Sequence, residues 1–218
     1  MGEGISRRDV LRLSAGGIAA AFMGCQTAVG RKYDEALALY DHGQFREAIK
    51  VLDEIIALGP LPQVYTTRGA AYAKLGDFDK AIDDFGAAIK LDGEYADAFR
   101  NKGRVYHQKA IRSRAMGGEI EAQAFLEQAV QDLKFAVRYA PDDPRPHAFL
   151  GLSLKELGEE SAAFDSLENA VKRIDKTRNK LPPDKNPKNL QDIPAWEVET
   201  RQLYLRLRPK YRPFPSDA

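Results

Sequence analysis

One spacing recurs along most of this chain and leaves little choice of fold. Gly69, Tyr72, Gly76, Phe78, Ala81, Ile82, Phe85, Ala88 and Ile89 set a pattern. It is repeated upstream as Ala36, Leu39, Gly43, Phe45, Ala48, Ile49, Leu52, Ile55 and Ile56, closed by Pro60. It returns downstream as Gly151, Leu154, Gly158, Ala163, Phe164, Leu167, Ala170 and Val171. Between them lie Gly103 and Tyr106, then Ala129, Val130, Leu133, Ala136, Val137 and Pro141. Ala36 to Gly69 is 33 positions and Gly69 to Gly103 is 34. A constant period of this size marks a stack of small units, none of which can bury its apolar face alone. Inside each unit the spacing is helical: Gly69, Tyr72 and Gly76 share one face, and Ala81, Phe85, Ala88 and Ile89 share another. Gly76-Asp77 and Gly158-Glu159 separate the two helices, because glycine takes the left-handed conformation a helix end needs.

These positions resemble the tetratricopeptide repeat over roughly residues 29–175. The resemblance implies an all-α solenoid of about four helix-turn-helix repeats. Small residues at Gly69, Ala81 and Ala88 let the helices of a hairpin approach, and aromatics at Tyr72, Phe78 and Phe85 fill the space between hairpins. The third copy departs from the pattern. Gly103 to Pro141 spans 38 residues, against 24 from Gly69 to the equivalent Gly93. Shared between two helices, the excess lengthens each by about two turns, or ~10 Å. Residues 108–116 stay helix-compatible, Gly117-Gly118 makes the turn, and residues 119–139 contain no breaker. The expectation is an elongated hairpin with Met116-Gly117-Gly118 at its tip, either a tolerated insertion or a partner-specific lever.

Composition limits the functions on offer. The chain has 33 Lys and Arg against 32 Asp and Glu and a single cysteine. A near-neutral balance argues against a general nucleic-acid binder, and one thiol excludes a disulfide framework or a multi-thiolate metal site. His42, His107 and His147 lie far apart, and no phosphate-cradling Gly-rich loop, nucleophile elbow or His-Glu-x-x-His occurs. We expect no catalytic residue, no metal, no cofactor and no small-molecule substrate.

The N-terminus reads as an address. Ser6-Arg7-Arg8-Asp9-Val10-Leu11-Arg12 precedes an uncharged stretch from Leu13 to Met23, rich in Ala and Gly. A basic n-region before a short apolar run describes an export signal, and the paired Arg7 and Arg8 resemble the twin-arginine type. Gly24-Cys25-Gln26 resembles a lipoprotein lipobox, although Phe22 and Met23 depart from it; a competing cleavage would follow Ala21. The position of the only cysteine favours the first, and it implies a lipidated Cys25 as the first mature residue. Loss of the first 24 residues removes three arginines and two acids, which leaves the mature chain neutral. Gln26 stands where relatives retained at an inner membrane carry Asp, so the resemblance implies an outer-membrane site facing the periplasm if two membranes are present.

The expected organisation is a signal peptide over 1–24, a tether over 25–30, the repeat array over 31–175, a linker over 176–193, a capping helix over 194–208 and an irregular tail over 209–218. The linker follows from Leu181-Pro182-Pro183, Asn186-Pro187 and Pro194. The cap follows from Trp196, Leu203 and Leu207 on one helical face, since a terminal repeat needs a cover. In this family, ligands lie along the concave groove of first helices. Its outward positions in the third repeat are Arg100, Asn101, Arg104, His107 and Gln108, with Lys109 and Arg112 on the extension. Arginines at helical spacing suit carboxylates, and Arg100, Asn101, Arg104 and Arg112 form the expected partner-binding strip. The two-carrier clamp that some relatives use on a C-terminal carboxylate is not matched: Tyr33, Leu37, Thr66 and Ala70 occupy its first positions, and only Asn101 and Arg145 fit. The resulting expectation is a membrane-anchored adaptor for a protein or peptide partner. The alternative is an acidic polymer or surface held by the basic groove and by Arg206, Arg208, Lys210, Tyr211 and Arg212.

Overall fold

A computed structural model describes residues 15–179 and 193–211, with side chains from Ala28 onward. The described residues form helices alone: α1 (Ala15–Asp41), α2 (Phe45–Leu58), α3 (Pro62–Leu75), α4 (Phe78–Leu91), α5 (Ala96–Ala115), α6 (Glu119–Tyr139), α7 (Pro144–Glu156), α8 (Glu160–Arg178) and α9 (Ala195–Tyr211). They pair as hairpins α1–α2, α3–α4, α5–α6 and α7–α8, and α9 covers the last pair. The first helices α1, α3, α5 and α7 also pack against one another in turn, so they form the inner layer and the second helices the outer one.

The repeat residues do what their sizes require. A Cβ on Gly69 would stand 2.8 Å from Phe85 Cε1 and 3.1 Å from the Ala81 carbonyl oxygen. The equivalent contacts recur at Gly103, 2.7 Å from Leu133 Cγ, and at Gly151, 2.6 Å from Leu167 Cγ. These glycines therefore set how closely each hairpin closes. Gly76 and Gly158 turn the chain with φ of 83° and 82°, the left-handed conformation that frees the helix end. Ala81→Leu should accordingly overpack its hairpin by about 1–3 kcal/mol and lower the melting temperature. Lys80→Leu, on a side chain 64% exposed, should leave it nearly unchanged.

The elongated third hairpin is present as expected. Helices α5 and α6 have 20 and 21 residues where α3 and α4 have 14 each. The turn falls at Met116–Gly118, with Met116 74% exposed at the tip.

Three boundaries differ from the sequence expectation. The segment 25–30, expected as a tether, is part of α1, which is continuous from Ala15; no proline interrupts it, and isolated glycines cost a helix only ~1 kcal/mol each. Helix α8 continues to Arg178, into the expected linker, because Arg178 reaches Glu197 of α9 at 2.7 Å. Helix α9 runs through Pro209 to Tyr211 rather than ending at Arg208. Proline removes one helical hydrogen bond there, but Tyr211 stacks on Phe164 at 5.4 Å and Lys210 pairs with Glu160 at 2.5 Å. The cap itself packs as expected, with Trp196 against Phe149 and Leu203, Tyr204 and Leu207 against Phe164 and Leu167. Arg7, Arg8 and Arg212 lie outside the described residues, as does the side chain of Cys25, whose backbone falls in α1.

Candidate functional site

The inner layer presents rows of residues in equivalent register. One row is Tyr40, Ala73, His107 and Lys155; another is Leu37, Ala70, Arg104 and Leu152. The second row is apolar except for Arg104, and the small Ala70 beside it leaves room for a long side chain. Arg104 is half-buried, and burial pulls its pKa below the ordinary arginine value; the Tyr40 hydroxyl of α1 is the group that opposes this. Its Nε is out of solvent with no hydrogen-bond partner, and no carboxylate among the described residues pairs with the guanidinium. A half-buried guanidinium with no acid of its own is ready to donate hydrogen bonds to a carboxylate brought from outside.

The other members of the expected strip are placed differently. Arg100 is buried, with Nη1 2.6 Å from Asp97 Oδ1 and 3.3 Å from Asp143 Oδ2, and Nη2 donating to Asn101 Oδ1 at 3.5 Å. Burial lowers its pKa despite those acids. Arg145, the other residue that fits the family clamp, grips the same Asp143: Nε donates to both carboxylate oxygens at 2.9 Å. Burial alone would raise the Asp143 carboxyl, but the Arg145 hydrogen bonds outweigh it and hold it below the usual range. Asp143 also caps α7 by accepting from the Arg145 backbone N–H at 2.9 Å. Arg100 and Arg145 thus tie α5 to the start of α7 and are not free cations.

Arg112 is exposed and lies two turns beyond Arg104, but eight residues of helix rotate it about 80°. It lines a separate cleft with Phe78, Lys80, Lys109, Met116 and Phe125, between the start of α4 and the long hairpin. In that cleft Lys109 pairs with Asp79 at 2.6 Å and sits 4.5 Å over the Phe125 ring. The predicted continuous basic strip is therefore corrected: one arginine is a structural clasp, one faces another cleft, and Arg104 alone remains in the groove without an acid.

Reasoning from the sequence passed over the groove's C-terminal end. His107, Leu152, Lys155, Glu156, Glu199 and Arg206 surround a cavity of about 270 Å³ where α9 completes the inner layer. Burial lowers the His107 pKa, which keeps the ring neutral near pH 7, and Nδ1 lies 3.1 Å from Ser153 Oγ. His42 and His147 bond to the carbonyls of Ala38 and Pro141, at 2.6 Å and 3.2 Å, so the three histidines occupy separate places. Among the described residues no cluster of His, Cys, Asp or Glu has metal-holding geometry. The Tyr40–Ala73–His107–Lys155 register was available from the repeat alignment; that α9 would bring Arg206 to it was not.

Comparison with known proteins agrees with the repeat register. Residues 33–65 and 62–95 match family models of the tetratricopeptide repeat, and the chain folds as a tetratricopeptide-repeat solenoid. It is 26% identical over 115 residues to the Photosystem I assembly protein Ycf3 of Rippkaea orientalis, covering 51% of this chain and 66% of that protein. It is 29% identical over 126 residues to the Ycf3 of Cyanophora paradoxa, covering 53% of this chain and 73% of that protein. It is 37% identical over 79 residues to DnaJ homolog subfamily C member 3 of Gallus gallus, covering 36% of this chain and only 16% of that protein. The chain therefore spans only part of the length of these relatives. Among solved structures, MamA superposes with a TM-score of 0.56 at 21% identity, over 79% of this chain and 93% of that one. The tetratricopeptide-repeat protein TTC0263 of Thermus thermophilus superposes at 0.60 and 19% identity, over 81% and 99%. At that identity the likeness is one of fold.

Proposed function

We propose that this chain is a non-catalytic adaptor that holds an acidic segment of a protein partner in its concave groove, at a membrane of the bacterial cell envelope. The observation that carries the groove assignment is Arg104, a cation set in an apolar row and left without an acid of its own. The flanking surface suits an extended or helical segment: Tyr40 lies on one side, with the His107–Arg206 cavity toward the C-terminal end. That several relatives by sequence are named assembly proteins supports a role in bringing other proteins together. Of the C-terminal cations that the polymer-binding alternative would use, Lys210 is engaged by Glu160 within the cap.

Arg104→Met is the direct test. A charge-assisted hydrogen bond contributes about 1.5–3 kcal/mol, so binding of the captured partner should weaken roughly tenfold or more. Melting temperature should hold or rise, because the variant removes an Nε–H that is out of solvent and without a hydrogen-bond partner in the free protein. Unchanged affinity with an unchanged fold contradicts the groove assignment.

The location half of the proposal rests on Arg7, Arg8 and Cys25. Cys25→Ala should move the protein from membrane to soluble fractions, and Arg7→Lys with Arg8→Lys should block its export. A mature N-terminus at Phe22, without lipid, would overturn the anchor and leave export standing. An outer-membrane site facing the periplasm, where two membranes exist, is the corresponding assignment from Gln26.

A further inference from the structure

The loops that join one repeat to the next all lie along one rim of the solenoid, the rim from which α1 runs out toward its N-terminus. Their charges differ. The second and third joints carry Asp92 and Glu94, and Asp142 and Asp143. The first has none: from Ile55 to Thr67 the chain carries no ionisable acid or base but one tyrosine, and Leu58 and Leu61 are 63% and 37% exposed. Beside it is an apolar pocket of about 470 Å³, lined by Val29, Tyr33, Leu58, Pro60, Leu61 and Val64. Upstream of this pocket the chain is uncharged from Leu13 to Gly30, and Arg31 and Lys32 follow at once.

We propose that the rim of the first repeat lies on the bilayer, and that this pocket receives a lipid acyl chain. The inference rests on the reading that residues upstream of Val29 hold the chain at a membrane, and it adds how the solenoid is oriented there. Two observations select hydrocarbon as the occupant. In the mature chain that begins at Cys25, only the uncharged residues 25–30 lie between the anchor and Arg31, and Val29 of the pocket stands one helical turn after Cys25, a rise of about 6 Å. Because residues 25–30 are helical rather than a slack tether, an anchor at Cys25 brings the first repeat against the membrane surface instead of letting it swing free. The acidic joints at Asp92–Glu94 and Asp142–Asp143 then lie progressively farther along the rim from the anchor, and the groove is presented sideways to the aqueous side. Exposed leucines at the anchored end gain the transfer free energy of apolar surface leaving water, and Arg31 sits at the depth of anionic headgroups while Lys32 is paired with Glu54.

The test uses the intact, membrane-processed chain reconstituted into vesicles of phosphatidylethanolamine and phosphatidylglycerol, with acyl chains brominated or not. Leu58→Trp combined with Trp196→Phe gives a single tryptophan at the rim, and the wild-type chain, with its own Trp196 at the far end, is the comparison. Both should float with the vesicles; bromination should quench position 58 severalfold and leave Trp196 unaffected. Flotation with no quenching at position 58 overturns the proposal while the anchor stands. Failure to float overturns both. A position-58 emission that is shielded from bromine and accompanied by a doubled mass at any lipid ratio means that a second copy covers the rim, and the lipid assignment is wrong.

Discussion

Phe85→Ala should destabilise the solenoid by about 3–5 kcal/mol, the range for truncating a fully buried aromatic. Phe85 is completely enclosed, against Ala81, Ala88, Ala98 and Val105, and its ring edge fills the space that the missing side chain of Gly69 leaves open. The buried residues in contact with it are Ala81, Ala88, Ala98 and Val105, too short to fill the vacated volume. In a linear array, stability is a sum of repeat and interface terms. The loss should therefore uncouple the first two repeats from the last two and broaden the thermal transition as well as lower it. Ile120→Ala, at a position 90% exposed, is the control and should move stability by less than about 0.5 kcal/mol. Calorimetry and far-ultraviolet dichroism at matched concentration read both effects.

A comparable loss is expected at the charged clasp of the same hairpin. Arg68 grips Asp84 with two hydrogen bonds, Nε to Oδ2 at 2.8 Å and Nη2 to Oδ1 at 2.6 Å, while Nη1 reaches Asp53 at 2.6 Å. Its guanidinium also lies over the Tyr65 ring at 5.4 Å. Hydrogen bonding to Asp84 holds the Arg68 pKa well above the ordinary value. Asp84 is 5% exposed, so Arg68→Met strands a carboxylate in the interior at a cost of about 3–5 kcal/mol. Lysine should rescue little, because it lacks the planar fork. The deficit should depend on pH in a definite sense. Burial raises the Asp84 carboxyl, and without Arg68 it rises further, so the folded variant binds a proton more readily than the unfolded chain does. Its penalty is greatest at neutral pH and shrinks as pH falls toward about 4, where the carboxyl is neutralised. Adding Asp84→Leu to the variant should recover most of the loss at every pH.

The sequence made the scaffold legible because a repeat states the same constraint several times. A Cβ added at Gly69, Gly103 or Gly151 would stand 3.0–3.1 Å from a carbonyl oxygen of the second helix and 2.6–2.8 Å from a side-chain carbon, inside van der Waals contact in all three copies. The lengthened hairpin was equally plain, since an excess of residues without a breaker has nowhere to go but into helix. The electrostatics of the groove were not legible. Arg100 and Arg104 look alike as neighbours on one helical face, and what separates them is tertiary. Arg100 meets Asp143, 43 positions away, at the cap of the next first helix; Arg104 meets only Tyr40, from two first helices back. Helix boundaries failed for the same reason. Pro209 reads as a stop, and it is contact between Tyr211 and Phe164 across the cap that carries the helix past it.

The central claim is that a partner lies in the concave groove and not on the projecting hairpin, and site-specific photocrosslinking in membranes tests it most directly. A photoreactive residue at Gln108, exposed one turn after Arg104 on α5, should yield a crosslinked protein species that disappears when Arg104 is changed to Met. The same probe at Ile120, exposed beside the hairpin tip, should yield none. A crosslink from Ile120 that persists in the Arg104→Met chain, with none from Gln108, would contradict the account and make the elongated hairpin the binding element.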